Sequence, residues 1–462
     1  MSKPTVRAAF AAVTTLFFAW GFITSLIDPL VAAVKGIFTL SDLQAQLSAF
    51  AFFIAYGVVS FPAAVLLGRL RAVPTILLAL AMMAVACLIM LGAAELGDPK
   101  GSHFRLTLSQ TFNSFGTFIG PLLGAALFLK GVEVKEGTVV TPEVREAALA
   151  GIDRAYFWIC GLILLLLAFF WFSRRTVTAA APAPGANSAD EVMGLLKQTF
   201  STPIALASVV GLMLTIVGAL TSVLDGQSAA LLGTALTLVL LWQLGKATGS
   251  RWAMFGGFAI FFYVVGEVAI GSQMALFLNS DAVWGGSDAA FGVPLLGHAM
   301  GSDGVPGVSL QEAGKAVAFY WGGAMVGRAV GSVLLARFDA ARLLALFTAV
   351  ACAMCLYVFA VGGVSAGFVA LAIGLFNSIM FPVIFTLTLE RSSASTEATS
   401  GLLCTAIVGG AFVPLLVGAL SDQAGYVSAL IAPAACYALL CLFAIAAGRA
   451  AIIGRAASPT IH

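Results

Sequence analysis

Residues 17–34 read "FFAWGFITSLIDPLVAAV", a run that is long enough to cross a membrane as one helix and apolar at almost every position. The exception is Asp28, which is followed at once by Pro29. A charged side chain at the centre of a membrane helix costs about 2.5–3.5 kcal/mol on insertion scales. A chain that keeps one there is expected to use it. The stretch therefore predicts a membrane helix that carries a functional carboxylate.

The composition of the chain predicts a membrane protein. Of the 462 residues, 61% are hydrophobic and only 10% are charged, and the mean hydropathy is +1.04, whereas a soluble domain exposes far more charge. Backbone polar groups in lipid must be satisfied within helices or closed barrels, and the long continuous apolar runs favour helices. We therefore predict an all-α polytopic protein whose partner is the lipid bilayer. The net charge of +2, without a basic stripe, predicts no nucleic-acid partner.

The cysteines and histidines indicate neither a metal site nor an enzyme, and no cofactor is expected. Cys352 and Cys355 have C-x-x-C spacing, but no histidine or acid lies near them, so they are expected to be small packing residues. The three histidines, His103, His298 and His462, are widely scattered. A membrane enzyme acting on lipid-linked substrates would require clustered acids or histidines with metal or nucleophile geometry.

Runs of about 20 apolar residues predict the membrane spans. Thirteen candidates begin near residues 9, 43, 73, 105, 155, 203, 228, 252, 313, 342, 364, 399 and 427. Residues 176–203 form a Pro/Ala linker and then a short amphipathic helix, which the capping pattern Ser188-x-x-Glu191 predicts. We interpret the 203–245 pair as an extra hairpin between two halves. The predicted domains are an N-terminal bundle of about five spans over 1–175, a cytoplasmic linker with the extra hairpin over 176–249, and a C-terminal six-helix bundle over 250–462.

The distribution of Lys and Arg predicts the orientation. Cationic residues concentrate at alternate ends of the predicted spans, as cytoplasmic ends do. Both termini are therefore expected in the cytoplasm, and the protein in the cell inner membrane. One discrepancy remains in the front half. Arg71 and Arg174 should both be cytoplasmic, yet only three runs lie between them. An even number is required, which predicts that a span is missing between Ala94 and Gly97.

Four stretches in the predicted spans share the pattern of one known family. They are "HFRLTLSQTFNSFG" (103–116), "YWGGAMVGRAVGS" (320–332), "GLFNSIMFPVIFTL" (374–387) and "GLLCTAIVGGAFVPLLVG" (401–418). Together with the opening "WGFITSLIDPL", they resemble the fucose–galactose–glucose proton symporters of the major facilitator superfamily. The resemblance covers about residues 15–175 and 250–448.

The resemblance implies two six-helix bundles around a central cavity, with a sugar site at mid-membrane and alternating access. It implies proton-coupled uptake of a hexose such as glucose, galactose or fucose by a monomer. In the family the fourth helix lies between "GAA" and "GDP", but this chain runs "LGAAELGDPKG" across that point. The resemblance and the count of crossings therefore indicate the same deletion.

Two alternatives stay open. The missing span would also suit a non-transporting, degenerate paralogue or a sugar sensor. A carboxylate can serve sodium as well as protons, so a transporter of another small solute, such as an amino sugar with sodium coupling, is the other alternative.

Two intramembrane acids are the candidates for ion coupling. Asp28 matches the family aspartate of the first helix, which the resemblance implies titrates as sugar binds. Glu267, in "FFYVVGEVAIGSQMALF", is a second acid in the rear half, where family members vary between an acid and an amide. The alternative for each is a buried acid with a structural partner.

Three amides are candidate sugar ligands, because an amide both donates and accepts hydrogen bonds as sugar hydroxyls require. Gln110 and Asn113 are three residues apart and project toward one face of a helix, and they match family positions that touch the sugar. Asn377 lies at mid-helix in the rear half. Helix–helix hydrogen bonds are the alternative for all three.

The remaining candidates are aromatic or cationic. Tyr320 and Trp321 could stack on the apolar face of a sugar, and so could Trp20, for which a position in the interfacial aromatic belt is the alternative. We interpret Arg328, in "GGAMVGRAVGS", as a gating residue that latches the cytoplasmic end.

Overall fold

The computed structural model describes the rear half of the chain continuously and the front half in fragments. The described residues are 11–12, 14–15, 18–19, 21–22, 41, 50, 53–54, 57–58, 60, 118–119, 161, 164–176, 188–221, 223–294, 299–300 and 307–453. The predicted deletion between Ala94 and Gly97 lies outside them. Helices dominate the described part, which confirms the all-α class.

The helices and strands follow one another from the linker to the end of the rear half. They are α1 (Ser188–Phe200), α2 (Pro203–Leu220), α3 (Gly226–Ala247), α4 (Arg251–Asn279), β1 (Phe291–Gly292), β2 (Ala299–Met300), α5 (Leu310–Leu335), α6 (Ala340–Val361), α7 (Gly363–Asn377), α8 (Met380–Arg391), α9 (Thr396–Thr405), a 3₁₀ turn (Ala406–Val408), α10 (Gly409–Ala424), α11 (Tyr426–Ala429) and α12 (Ile431–Arg449). The predicted amphipathic helix is present as α1.

Seven helical segments of the described part are long and apolar enough to cross a membrane. One is α3, and the other six are Arg251–Asn279, Leu310–Leu335, Ala340–Val361, Gly363–Arg391, Thr396–Ala424 and Tyr426–Arg449. These six coincide with the spans predicted near 252, 313, 342, 364, 399 and 427. A bent pair, Asp190–Phe200 with Pro203–Ala219, meets at 80° and could count as an eighth. The polytopic class is thus confirmed, while the division into three domains remains a prediction.

Local signals explain where these helices begin and end. Ser309 caps α5 in a capping box, in which Glu312 N donates to the Ser309 hydroxyl and Ser309 N donates to the Glu312 carboxylate. Asp339 caps α6 by accepting a hydrogen bond from Arg342 N at 2.9 Å. Gly362 ends α6 with φ of +64°, a conformation that glycine adopts without a steric penalty, and the chain turns directly into α7.

α4 lies at the centre of the rear half, packing against α5, α8, α10 and α12. The hairpin of α2 and α3 packs on the side of this bundle, with α3 against α4 and α10. Gly233 of α3 lies directly against the Phe412 ring of α10. Whether the hairpin is an addition to the twelve-helix plan remains a prediction.

The loop after α4 is packed onto the bundle by one tryptophan. Trp284 is fully buried, and its Nε1–H donates to the Val364 carbonyl oxygen at 3.1 Å. Its ring packs against Phe291 and Phe368, each at a centroid distance of 5.1 Å. The short ladder of β1 and β2 continues this loop, pairing Phe291 with Met300.

Candidate functional site

Four of the predicted site residues belong to the front half. Asp28, Gln110, Asn113 and Trp20 lie outside the described residues. The five in the rear half are all described, and the structure brings four of them together in one polar cluster between α4, α5 and the end of α7.

The centre of this cluster is an ion pair between Glu267 of α4 and Arg328 of α5. Glu267 Oε1 lies 3.6 Å from Arg328 Nη2, and the two side chains are 14% and 5% exposed. Inside a membrane an unpaired charge is expensive, so pairing is the usual state of such residues. Each side chain therefore compensates the charge of the other.

A break in the membrane segment Gly363–Arg391 supplies Arg328 with a second partner. α7 ends at Asn377 and α8 begins at Met380. Arg328 Nε donates to the Ser378 carbonyl oxygen at 2.8 Å. A helix C-terminus carries partial negative charge, which favours a cation there. The guanidinium thus lies between a carboxylate and a helix end.

Tyr320 and Asn377 form a second connection across the same elements. Asn377 Nδ2 donates to the Tyr320 hydroxyl at 2.6 Å, and that hydroxyl donates to the backbone oxygen of Glu267 at 3.2 Å. Both side chains are buried. A sugar could reach them only if the bundle opened further, so their substrate role remains a prediction.

The fifth predicted residue of the rear half is Trp321, which lies beside the cluster. Trp321 is half-buried and packs edge-on against Tyr320, with 5.0 Å between ring centroids. Arg328 makes contacts with Glu267 and Ser378 within the rear half, and its role as a cytoplasmic latch remains a prediction.

Two tyrosines in the cluster were not predicted from the sequence. Tyr263 lies one helical turn before Glu267 on α4, and Tyr437 of α12 lies beside Asn377. Both are buried, and their hydroxyls make no hydrogen bond to the residues that the structure describes. The i, i+4 spacing from Glu267 could have indicated Tyr263, whereas no local signal indicates Tyr437.

Described fragments of the front half touch the rear half at several places, including Phe50 and Phe118. Phe50 packs edge-on against Phe412, with 5.0 Å between ring centroids. Gly322 of α5 lies so close to the Phe118 ring that a Cβ there would be 2.7 Å from it. The rear cluster is therefore close to helices of the other half, as a site between two bundles requires.

Individual relatives, rather than a family model, show the family to which the chain belongs. No family model matches the chain. A glucose/galactose transporter of Brucella abortus is 31% identical over 468 aligned positions, covering 95% of this chain and 93% of the relative. The L-fucose-proton symporter of Escherichia coli K12 is 26% identical, covering 94% and 92%. A crystal structure of FucP, the E. coli fucose:proton symporter, in its outward conformation superposes with a TM-score of 0.60 at 23% identity, over 96% of this chain and all of that one.

The fold is that of the major facilitator superfamily, and the relatives carry the names of transporters and symporters rather than enzymes. The protein is thus a multi-pass membrane transporter. It belongs to the fucose–galactose–glucose:proton symporter family, as the resemblance of its motifs had predicted.

Proposed function

We propose that this protein is a secondary active transporter that carries a hexose or a related sugar into the cell by alternating access, coupled to proton uptake. The observation that carries the proposal is the 31% identity to a glucose/galactose transporter along almost the whole chain. The second relative is named a proton symporter, which supports protons as the coupling ion.

Asp28 and Glu267 are the proposed coupling acids. A carboxylate in a membrane helix can exchange protons with water only when a pathway reaches it, and alternating access provides such a pathway from each side in turn. Glu267 is only 14% exposed and is paired with Arg328, so in this conformation its charge is compensated and shielded. Asp28 is proposed as the principal coupling site on the resemblance of its motif.

The proposed sugar ligands come from both halves. Gln110 and Asn113 would hydrogen-bond hydroxyl groups from the front half, and Asn377 and Tyr320 from the rear half. Trp321 would stack on the apolar face of the ring, and Trp20 is a further candidate for stacking. A site formed from both bundles changes shape as they rock, which gives the sugar access from each side in turn.

The proposed deletion in the front half favours one other function, that of a sugar sensor or a degenerate paralogue. The alignment with the Brucella relative has more positions than this chain has residues, so at some of them this chain has no counterpart. A missing segment would produce this pattern.

Uptake into proteoliposomes tests the proposal. Vesicles containing the full chain receive labelled glucose, galactose or fucose under an imposed pH gradient, and then under a sodium gradient. We expect accumulation with the pH gradient only. Asp28→Asn should still exchange sugar across the membrane but should not accumulate it. Binding without any uptake would indicate a sensor, and accumulation that follows sodium would indicate the other coupling ion.

A further inference from the structure

Phe412 of α10 contacts both the front half and the hairpin of α2 and α3. Its ring packs edge-on against Phe50, with 5.0 Å between ring centroids. The same ring lies directly against Gly233 of α3, where a Cβ would clash with it. Small residues such as glycine let membrane helices approach closely. The position of the ring that Phe50 meets therefore depends on α3 as well as on α10.

The hairpin reaches the same contact a second time, through α2. Buried residues at the start of α10 and in the 3₁₀ turn before it form one hydrophobic cluster, which comprises Val408, Ala411 and Phe412. Leu212 of α2 is half-buried and packs against this cluster. Three residues of the front half pack against it as well, namely Phe50, Phe53 and Ile54. The hairpin and the front half thus share one cluster of the rear half.

The front half presents one face of a helix to α10. Residues 50, 53, 54 and 57 follow the i, i+3, i+4, i+7 spacing of a helix face. A Cβ at Gly57 would lie 2.8 Å from Val408 Cγ2, and one at Gly410 would lie 2.6 Å from the Phe53 ring. Glycines on both sides thus bring the two helices close together. This face must leave α10 whenever the halves move apart here.

The hairpin is attached to the rear half at both ends of α3. At one end, Gln423 Nε2 of α10 donates to Gln227 Oε1 at 2.6 Å. Near the other end, a Cβ at Gly245 would lie 2.7 Å from Met254 Cγ of α4. α2 in turn packs against α3. We therefore expect the hairpin to move with the rear half.

We propose that the hairpin of α2 and α3 acts as a brace, which stabilises the contact between α10 and the front half and so limits how readily the two halves separate. Through Gly233 it fixes the Phe412 ring that Phe50 contacts. Through Leu212 it adds to the surface that the front half must leave. Because lipid is as apolar as these side chains, close packing is what holds such helices together in a membrane. The consequence of the brace for transport rests on the proposed function, in which the halves rock against each other.

Distances between spin labels test the proposal without sugar or a gradient. The full chain is reconstituted into nanodiscs with labels on p-acetylphenylalanine at Val58 of the front half and Leu346 of α6, whose side chains are 67% and 58% exposed. Double electron–electron resonance gives the ratio of separated to packed molecules. We expect Leu212→Ala to raise this ratio about threefold, because one contact between membrane helices is lost. Labels at Leu231 of α3 and Leu346 should keep one distance, because the hairpin moves with the rear half.

Leu206→Ala is the matched control, since Leu206 lies on the same helix as Leu212 but is 50% exposed, and it should leave the ratio unchanged. The same ratio in the wild type and Leu212→Ala would overturn the proposal, and so would an equal rise in Leu206→Ala. If Leu212→Ala does not fold, Gly233→Ala decides, because its methyl group displaces the Phe412 ring and should raise the ratio. An unchanged ratio in Gly233→Ala would then overturn the proposal. A rise in the ratio in a protein that takes up no sugar would refute the proposed function alone.

Discussion

Gly374 of α7 lies against Tyr320 of α5 so closely that a methyl group at position 374 would clash with the Tyr320 carbonyl oxygen. This contact places two membrane helices at backbone distance, next to the residues that form the polar cluster. The geometry of Tyr320, Asn377 and Arg328 therefore depends on a glycine that has no side chain of its own.

Gly374→Ala should destabilise the protein. The added methyl group meets backbone rather than a flexible side chain, and overpacking of this kind costs about 1–3 kcal/mol. We expect a lower melting temperature for the full chain in detergent. Gly194→Ala is the control, since a Cβ there meets nothing within 4 Å and alanine is a better helix former than glycine. Equal melting temperatures for the wild type and Gly374→Ala would contradict the close packing.

Removing one member of the buried ion pair should cost more than removing both. Arg328→Met leaves the Glu267 carboxylate buried without its partner, and breaking a buried pair in this way costs about 3–5 kcal/mol. The double variant with Glu267→Gln should recover most of that loss, because the side chain at position 267 then carries no charge that needs a partner. A double-mutant cycle of denaturant unfolding measures the coupling. Additive effects of the two substitutions would show that the side chains do not interact.

Trp284 should contribute to stability mainly by packing. Trp284→Phe removes the hydrogen bond to Val364 and should cost about 0.5–1.5 kcal/mol, whereas Trp284→Ala leaves a cavity and should cost about 3–5 kcal/mol. Proteolysis of the loop over 280–309 and the melting temperature both report this difference. Trp242→Ala is the control because that side chain is 42% exposed. If protease cleaved this loop at the same rate in the wild type and in Trp284→Ala, the result would contradict the packing of Trp284.

The six rear spans could be predicted from the sequence because each is a continuous apolar run of membrane length. The helix over Ser188–Phe200 could be predicted because its capping pattern is local. Glu267 and Arg328 could each be recognised as charges in apolar surroundings. Their pairing could not be, since 61 positions separate them and only the packing of α4 on α5 brings them together.

The break at Ser378 is a second feature that we did not predict, although Pro382, which has no N–H to donate to the Ser378 carbonyl four residues earlier, is a local signal for it. The stretch "GLFNSIMFP" reads as one continuous apolar helix, because membrane helices tolerate Gly and Pro. The break is accommodated by partners from elsewhere, namely Arg328 on the Ser378 carbonyl and Tyr320 on the Asn377 side chain. Tertiary contacts of this kind are absent from any single stretch of sequence.

The most direct test of proton-coupled sugar transport is the pH change that sugar itself causes. Proteoliposomes containing the full chain are suspended in weakly buffered medium without any imposed gradient, and glucose, galactose or fucose is added while the external pH is recorded. Coupled entry of sugar and protons predicts alkalinisation of the medium with the transported sugar and none with mannitol. Entry of labelled sugar with no change in external pH would contradict the account.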